Sequence, residues 1–229
     1  MGWAMGSEAV KATMARTATL SAVSARRPAV STGQTRAAIL AATIEVIARH
    51  SLSGTTVERV AVAAGVAPGT VILHFKRKEA LLIEVLEHLA QEFDQARRAA
   101  IAGAAEDPVS ALDRLIEVNF DPKVSDPAKV AVWYAFWGEA GSRSVYLERA
   151  GAIDNSYHAD LVRICADLIG RGGYGSVDAE AAAIGLIGTI EYLWQDIMVA
   201  GRRFDRARAR RTVRAYLANV FPRHFQPSA

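Results

Sequence analysis

The sequence contains a single cysteine, Cys165, so the chain cannot form an internal disulfide, and nothing argues for export to an oxidising compartment. It has no apolar run that approaches the ~18 residues a membrane-spanning helix needs. Residues 1–32 are rich in Ala, Ser and Thr but lack the apolar core of a signal peptide. These absences predict a cytoplasmic protein that does not contact a membrane.

Signatures of catalysis and metal binding are also missing. The five histidines form no HxxxH pair and no Cys/His pair at metal-ligand spacing. There is no GxSxG nucleophile elbow, and the GxGxxG match at residues 170–175 follows a helical pattern, which predicts a flexible loop. We therefore predict no catalytic residues, no metal and no cofactor. A small helical enzyme that uses an aromatic pocket is kept as a remote alternative.

Charge is unevenly distributed along the chain, although the net charge is only +3. Residues 1–80 carry ten Lys and Arg against four acids, residues 81–201 carry nine against nineteen, and residues 202–229 carry eight against one. Basic ends suit a polyanion such as DNA, whereas the acidic middle indicates a different task. Solvated surface charge explains the same distribution, so charge alone does not choose between these readings.

Apolar residues recur at helical spacing along most of the chain after residue 32, and no strand-type alternation is present. Candidate N-caps mark the later helices, at Asp107, Asp126, Asp178 and Asp205. The pattern predicts helices over 78–101, 108–119, 127–138, 153–169, 178–200 and 206–220. We predict an all-α fold of about nine helices, preceded by a flexible basic N-terminal arm over residues 1–32.

Residues 33–75 have the spacing of three short helices, with a tight turn at Gly65 between the second and the third. Thr55 and Glu58 have capping-box spacing at the start of the second helix, and Pro68 suits the first position of the third. This arrangement is typical of a helix-turn-helix, in which one face of the third helix is free to enter a major groove. Many other helical corners share the spacing.

The segment GTTVERVAVAAGVAPGTVILHFKRKEALL (54–82) resembles the DNA-binding domain of TetR-family repressors, whose pattern reads roughly TTxxxIAxxAGVSxGTxYxHFxxKExLL. The resemblance implies a DNA-binding domain over 33–80 and a ligand-binding and dimerisation domain over 81–229. It also implies a set of DNA-binding residues, namely Arg36, Thr55, Thr56, Ala67, Pro68, Gly69, Thr70, Leu73, His74 and Lys78.

Two positions depart from the family pattern. Ala67 stands where the family often has Ser, which removes a hydroxyl cap, and Ile72 stands where it usually has a Tyr that contacts the DNA backbone. Leu73 cannot hydrogen-bond a base but can contact a thymine methyl group. Val71 and Phe75 are predicted to lie in the core.

Aromatic residues concentrate in the acidic middle of the chain. Trp133 and Trp137 are four residues apart, so they share one helix face, and Trp194 follows Glu191 by one turn. Three indoles and a carboxylate attract a quaternary ammonium group, whereas packing of large aromatics in a core is the alternative. The candidate ligand-binding residues are Phe120, Trp133, Phe136, Trp137, Glu191 and Trp194.

Residues 119–137 and 186–209 resemble the ligand-binding domain of BetI-type repressors, which are TetR-family sensors of choline. The resemblance implies control of betaine-pathway or amine-metabolism genes by choline or a related amine. Residues 146–161 depart from the family, because Asn155 and Ser156 stand where it has paired arginines. A TetR-type regulator of a different, uncharged small molecule is therefore the second hypothesis.

The last two predicted helices carry more apolar residues than one monomer's surface accommodates, namely Ile184, Ile187, Leu193, Ile197, Val213 and Leu217. We therefore predict a homodimer that represses transcription by binding a near-palindromic double-stranded operator. A small-molecule effector is predicted to favour a conformation whose two recognition helices no longer match the operator.

Overall fold

The computed structural model describes residues 31–104, 106–139 and 143–226, and this part of the chain contains α-helices and one short 3-10 helix, Gly201–Arg203, but no strand. The α-helices, in chain order, are α1 (Thr32–Gly54), α2 (Val57–Ala64), α3 (Pro68–Phe75), α4 (Lys78–Ala102), α5 (Pro108–Asn119), α6 (Pro127–Gly138), α7 (Arg143–Arg149), α8 (Gly151–Gly172), α9 (Ala179–Ala200) and α10 (Arg206–Val220). The all-α fold is confirmed. The predicted N-terminal arm, except for its last two residues, lies outside the described residues.

Aspartates begin four of the later helices, as the sequence predicts. The carboxylates of Asp107, Asp126, Asp178 and Asp205 each accept a hydrogen bond from a backbone N–H two or three residues further on, at 2.7–2.9 Å. Each bond satisfies a donor that the first turn of a helix otherwise leaves without a partner. Helices α5, α6 and α10 therefore have the predicted bounds, and α9 begins one residue later than predicted.

The region before α9 differs from its prediction in two ways. A short helix, α7, precedes α8, and α8 is longer at both ends than the predicted 153–169. The glycine-rich segment predicted as a flexible loop instead supplies the last turn of α8. That helix ends at Gly173, which adopts φ 62° in the left-handed region that glycine tolerates without a steric penalty.

The start of α2 is displaced by one residue from the predicted capping box. Thr56, not Thr55, is the N-cap, and its side chain accepts a hydrogen bond from the Arg59 N–H at 3.2 Å. Thr55 is fully buried, and its hydroxyl donates to the Ser51 carbonyl oxygen at 2.7 Å. The preceding helix loses helical geometry at Ser51, which agrees with the predicted end near His50.

Buried apolar side chains form two clusters. The first, here called the head core, joins α1, α2, α3 and the first half of α4 to Val132 and Phe136 of α6 and to Ala150. The second, here called the sensor core, joins the end of α4 to α5, α6, α8, α9 and α10. Arg36 and the described residues after it form one compact unit, and α4 contributes to both cores. The division into domains 33–80 and 81–229 therefore stays a prediction.

Helix α9 is apolar on two faces. The prediction that six apolar residues of α9 and α10 are exposed is wrong for four of them, which are buried in the sensor core: Leu193, Ile197, Val213 and Leu217. Ile184 is exposed and Ile187 is half-buried. Tyr192, Met198 and Val199 are exposed as well. A helix that is apolar on both sides has no periodicity that distinguishes its inner from its outer face.

No single helix in the described ranges is long and apolar enough to cross a membrane. Helices α2 and α3 reach the required length and composition only as a pair, and they are bent by 106° at the turn between them.

Candidate DNA interface and ligand cavity

Helices α2 and α3 form the corner of a helix-turn-helix. Their 106° bend lies within the ~90–120° range typical of this motif. Gly65 adopts φ 65° at the end of α2, and the following N–H, of Val66, donates to the Ala61 carbonyl oxygen at 3.0 Å. Val71 and Phe75 are buried in the head core, as predicted, so α3 is fixed by one face. Its other face is free.

The free face of α3 presents most of the predicted DNA-binding residues. Ala67, Pro68 and Gly69 are exposed, and the side chain of Leu73 is 70% exposed. As expected, Ala67 provides no side-chain cap for α3. The remaining candidates on α2, α3 and the start of α4 are half-buried, namely Thr56, Thr70, His74 and Lys78. Thr55 is removed from the candidates, because its buried hydroxyl already donates within the chain.

Two of the predicted cations have partners within the protein. The Arg36 guanidinium lies 4.8 Å from the Phe75 ring centroid and forms an ion pair with Glu84. The Lys78 Nζ lies 3.5 Å from the Leu52 carbonyl oxygen. Lys76 and Arg77, which the prediction did not include, are exposed between α3 and α4. The run of three basic residues at 76–78 was the signal that could have identified them.

A cavity of about 510 Å³ lies in the sensor half of the chain. Six helices, α4 to α9, contribute its lining, which includes seven aromatic residues, two carboxylates and no Lys or Arg. The lining residues are Phe93, Asn119, Trp133, Tyr134, Trp137, Tyr146, Asp154, Asn155, Tyr157, His158, Ile187, Ile190, Glu191 and Trp194. The volume is typical of a small-molecule site.

The structure brings four of the six predicted ligand-binding residues to this cavity, namely Trp133, Trp137, Glu191 and Trp194. Phe120 does not line it, because its ring is fully buried and stacks on Phe204 at 6.4 Å between centroids. Phe136 does not line it either, because α6 directs that ring into the head core. Both phenylalanines have the core role that was the alternative for every aromatic residue.

The rings of the cavity form two groups. In the first, here called the Tyr146 group, the Tyr146 ring meets Trp133 and Trp137 in edge-on geometry at 6.1 and 5.4 Å between centroids. In the second, here called the Phe93 group, Phe93 meets Tyr157 and Trp194 edge-on at 5.4 and 6.1 Å. The indole N–H of Trp194 donates to the Asn119 carbonyl oxygen at 3.1 Å, which fixes that ring.

Each cavity carboxylate is held by a tyrosine. The Tyr134 hydroxyl donates to Glu191 Oε2 at 2.8 Å, and the Tyr146 hydroxyl donates to Asp154 Oδ2 at 2.7 Å. Among the residues that the structure describes, no Lys or Arg forms an ion pair with either carboxylate. The cavity therefore contains two oriented acceptors and no compensating cation.

The electrostatics of the cavity follow from this arrangement. Burial raises the pKa of Asp154 and of Glu191 above the ordinary carboxyl range, the tyrosine hydrogen bonds oppose that rise, and the Asp154 charge raises the pKa of Glu191 further. Burial and the adjacent carboxylates also raise the pKa of Tyr134 and Tyr146, so both hydroxyls stay protonated as donors. The cavity therefore combines two hydroxyl donors with two carboxyl groups.

Sequence reasoning did not include several cavity residues, chiefly Phe93, Tyr134, Tyr146, Asp154 and Tyr157. They lie on four different helices, and nothing in the local pattern shows that these helices converge. One feature of the sequence could have indicated them: residues 146–161, which contribute Tyr146, Asp154 and Tyr157, replace a basic segment of the family. In the described ranges, no group of three His, Cys, Asp or Glu side chains has a geometry that could hold a metal ion.

Comparison with known proteins covers both halves of the chain. Residues 39–85 match bacterial regulatory proteins of the tetR family, and residues 108–222 match the C-terminal region of BetI-type transcriptional repressors. The HTH-type transcriptional regulators BetI of Ectopseudomonas mendocina and Paraburkholderia xenovorans are 30% and 29% identical over 186 and 182 residues. Each alignment covers 80% of this chain and 91% of the relative.

Solved structures agree with the sequence comparison. The crystal structure of a transcriptional regulator from Pseudomonas aeruginosa PAO1 has a TM-score of 0.70 and 26% identity, covering 88% of this chain and 99% of that one. FadR from Bacillus halodurans has a TM-score of 0.67 at 22% identity, which shows a shared fold. The chain therefore belongs to the TetR family of bacterial regulatory proteins, with a BetI-type C-terminal region, and is a ligand-responsive transcriptional repressor, not an enzyme.

Proposed function

We propose that this repressor senses a cationic amine, with choline or another quaternary ammonium compound as the leading class, and that ligand binding releases it from operator DNA. The observation that carries the proposal is the lining of the cavity of about 510 Å³, which includes seven aromatic residues and two tyrosine-held carboxylates, and no Lys or Arg in the described part of the chain forms an ion pair with either carboxylate. The genes under its control are proposed to act on the same amine.

The physical case rests on what a quaternary ammonium group lacks. It cannot donate a hydrogen bond, so its recognition depends on ring faces and on uncompensated negative charge. Trp133, Trp137 and Trp194 supply the rings, and Glu191 supplies a charge beside them. A neutral ligand would displace water from the carboxylates without neutralising them, which is unfavourable. The geometry therefore favours a cation over an uncharged molecule.

We propose that the exposed face of α3 enters the major groove. Leu73 is placed to contact a thymine methyl group, and Thr70 offers a hydroxyl on the same short helix. Lys76, Arg77 and Lys78 supply positive charge to the phosphates where α4 begins. Arg36 is proposed only as a secondary contact, because it is already paired with Glu84.

We propose that a second copy of the chain covers the outer face of α9. Ile184, Tyr192, Met198 and Val199 are exposed at helical spacing on this helix, with Gly188 between them. Water-exposed apolar side chains on one face are typical of an interface. A two-fold dimer would present two copies of α3 to the two half-sites of a near-palindromic operator.

Helix α4 connects the cavity with the proposed DNA interface. It begins at Lys78, contributes Val85 and Leu86 to the head core, and contributes Phe93 to the cavity. A ligand that contacts Phe93 differently in two conformations of α4 would shift their populations and so change the position of α3. Such a shift requires different ligand affinities for the two conformations.

Calorimetric titration tests the ligand class directly. Choline, betaine aldehyde and glycine betaine are titrated beside 3,3-dimethylbutanol, which has the shape of choline but no charge. We expect choline to bind below millimolar Kd, the neutral isostere to bind at least tenfold more weakly, and Glu191→Gln to reduce that difference. Equal binding of choline and its neutral isostere would favour an uncharged effector instead.

A further inference from the structure

The cavity repeats its recognition elements. The Tyr146 group, which comprises Tyr146, Trp133 and Trp137, lies beside Asp154, because the Tyr146 hydroxyl donates to that carboxylate at 2.7 Å. The Phe93 group comprises Phe93, Tyr157 and Trp194. Glu191 lies one helical turn before Trp194 on the same cavity-lining face of α9. One site thus contains two sets of three rings and two carboxylates, of which Asp154 is held by Tyr146 and Glu191 by Tyr134.

A single small cation uses only half of these elements. One quaternary ammonium group is surrounded by a few ring faces and is neutralised by one carboxylate. Choline placed in the Phe93 group beside Glu191 would leave the Tyr146 group and Asp154 without a cation. Among the described residues, no Lys or Arg forms an ion pair with Asp154.

The volume of the cavity also favours a ligand larger than choline. A volume of about 510 Å³ falls in the range that encloses drug-sized molecules, which are much larger than choline. The cavity lining also includes the apolar side chains of Ile187 and Ile190. An apolar chain that joins two cationic groups would contact these side chains.

We infer that the cavity is a two-centre site for an amine with two cationic groups joined by an apolar linker, one cation in the Phe93 group beside Glu191 and the other in the Tyr146 group beside Asp154. The inference rests on the proposed function, because it assumes that the cavity binds cations. It goes beyond that function in assigning a second cation subsite to Tyr146 and Asp154, and in naming an elongated diammonium compound as the ligand class.

The two ring groups differ in their exposure to solvent. Trp137 is 49% exposed, whereas Trp194 is 8% exposed. The Tyr146 group is therefore the outer centre, at the solvent side of the cavity, and the Phe93 group is the inner one. A diammonium ligand would insert one end first and leave the other at the outer centre.

The test uses a series of bis(trimethylammonium) alkanes with linkers of increasing length, each compared by calorimetry with the alkyl-trimethylammonium compound of the same chain length. We expect the doubly charged compound to bind at least tenfold more tightly than its singly charged counterpart at one linker length, and less so at shorter and longer ones. Asp154→Asn is expected to abolish most of that advantage.

The matched control is Glu148→Gln. It removes one negative charge from the exposed outer surface of α7 and does not touch the cavity, so it reports general attraction of the second charge. The advantage should persist in Glu148→Gln. Tyr146→Phe keeps the ring and removes the hydroxyl that orients Asp154, so it should lower the advantage partway, and thermal unfolding confirms that each variant is folded.

Each alternative outcome has a separate meaning. If singly charged compounds bind but the doubly charged series shows no advantage, or keeps its advantage in Asp154→Asn, the second subsite is refuted and the proposed function stands. If neither series binds while a neutral compound does, the proposed function itself is refuted.

Discussion

The proposed DNA-binding head and the ligand cavity differ in how the chain brings their residues together. In the head, all the candidate residues except Arg36 lie within one continuous stretch, 54–82, and the short helix α3 presents several of them on its exposed face. In the cavity, the lining residues span positions 93 to 194 and come from six helices that converge around a space. Local capping and turn chemistry suffice to place the first set, whereas tertiary packing alone places the second.

Helix α4 passes through both regions and is held differently in each. In the head, its Glu84 pairs with Arg36, whose side chain is 42% exposed. In the sensor half, Arg97 is fully buried and donates to Asp94 and Asp160 at 2.5 Å and to Ser156 at 2.9 Å. The charged side chains of α4 are therefore held by a buried network at its sensor end and by a partly exposed ion pair at its head end.

The largest expected effect concerns these two anchors. Arg97→Leu should lower the free energy of unfolding by about 3–5 kcal/mol, because it breaks a buried ionic network. Arg36→Leu should lower it by about 1 kcal/mol or less, as is typical of an exposed pair. Denaturant unfolding of both variants checks the difference, and equal losses would show that the buried network stabilises the protein no more than the exposed pair does.

The next effect separates the functions of the two regions. Trp137→Ala should weaken binding of a bis(trimethylammonium) alkane about tenfold through loss of one ring of the Tyr146 group, while operator affinity without ligand changes little. Leu73→Ala should weaken operator binding several-fold through loss of a thymine methyl contact, with ligand affinity unchanged. Calorimetry and DNA-binding anisotropy are measured on both variants, and a loss of both activities in either variant would contradict the separation.

The phosphate contacts should give a smaller and diagnostic effect. Lys76→Ala and Lys78→Ala are each expected to weaken operator binding and to reduce the slope of log affinity against log salt by about one unit. Thr70→Ala should weaken binding without changing the slope. The control is Arg98→Ala, which changes the same charge on the sensor half of α4. An equal slope change in the control would show that the effect is not local to the head.

The smallest effect is the pH dependence of cation binding. The raised pKa of Glu191 and Asp154 means that both carboxyls take up a proton at a higher pH than ordinary carboxyl groups do. Cation affinity should therefore be highest at neutral pH and should fall as pH decreases through those pKa values. Calorimetry over a pH series checks this, and Glu191→Gln should flatten the profile. A profile that rises towards acid pH would contradict the assignment.

The same contrast explains how much the sequence could predict. The helix-turn-helix could be predicted from the sequence because Gly65, Pro68 and the apolar positions of α2 and α3 determine the structure of residues close to them in the chain. Four of the helices begin at predicted aspartate caps for the same reason. The misplacement of the α2 N-cap by one residue arose because Thr55 and Thr56 are chemically equivalent until burial distinguishes them.

Only part of the cavity lining could be predicted from the sequence. Trp133 and Trp137 were placed together because they lie on one helix, and Glu191 and Trp194 because they lie on another. Phe120 and Phe136 were wrongly included, since an aromatic residue carries no local sign of which core it enters. Asp154 and Tyr146 were missed because their pairing depends on the turn between α7 and α8. The exposed face of α9 was misjudged because both of its faces are apolar.

The central claim is that filling the aromatic cavity releases the head from DNA. The most direct test measures operator affinity by anisotropy with and without a saturating quaternary ammonium ligand, using the DNA upstream of the gene that the protein controls. We predict that ligand raises the operator Kd by about 5–150-fold, which corresponds to a coupling of roughly 1–3 kcal/mol. A ligand that saturates the cavity in calorimetry but leaves the operator Kd unchanged would contradict the account.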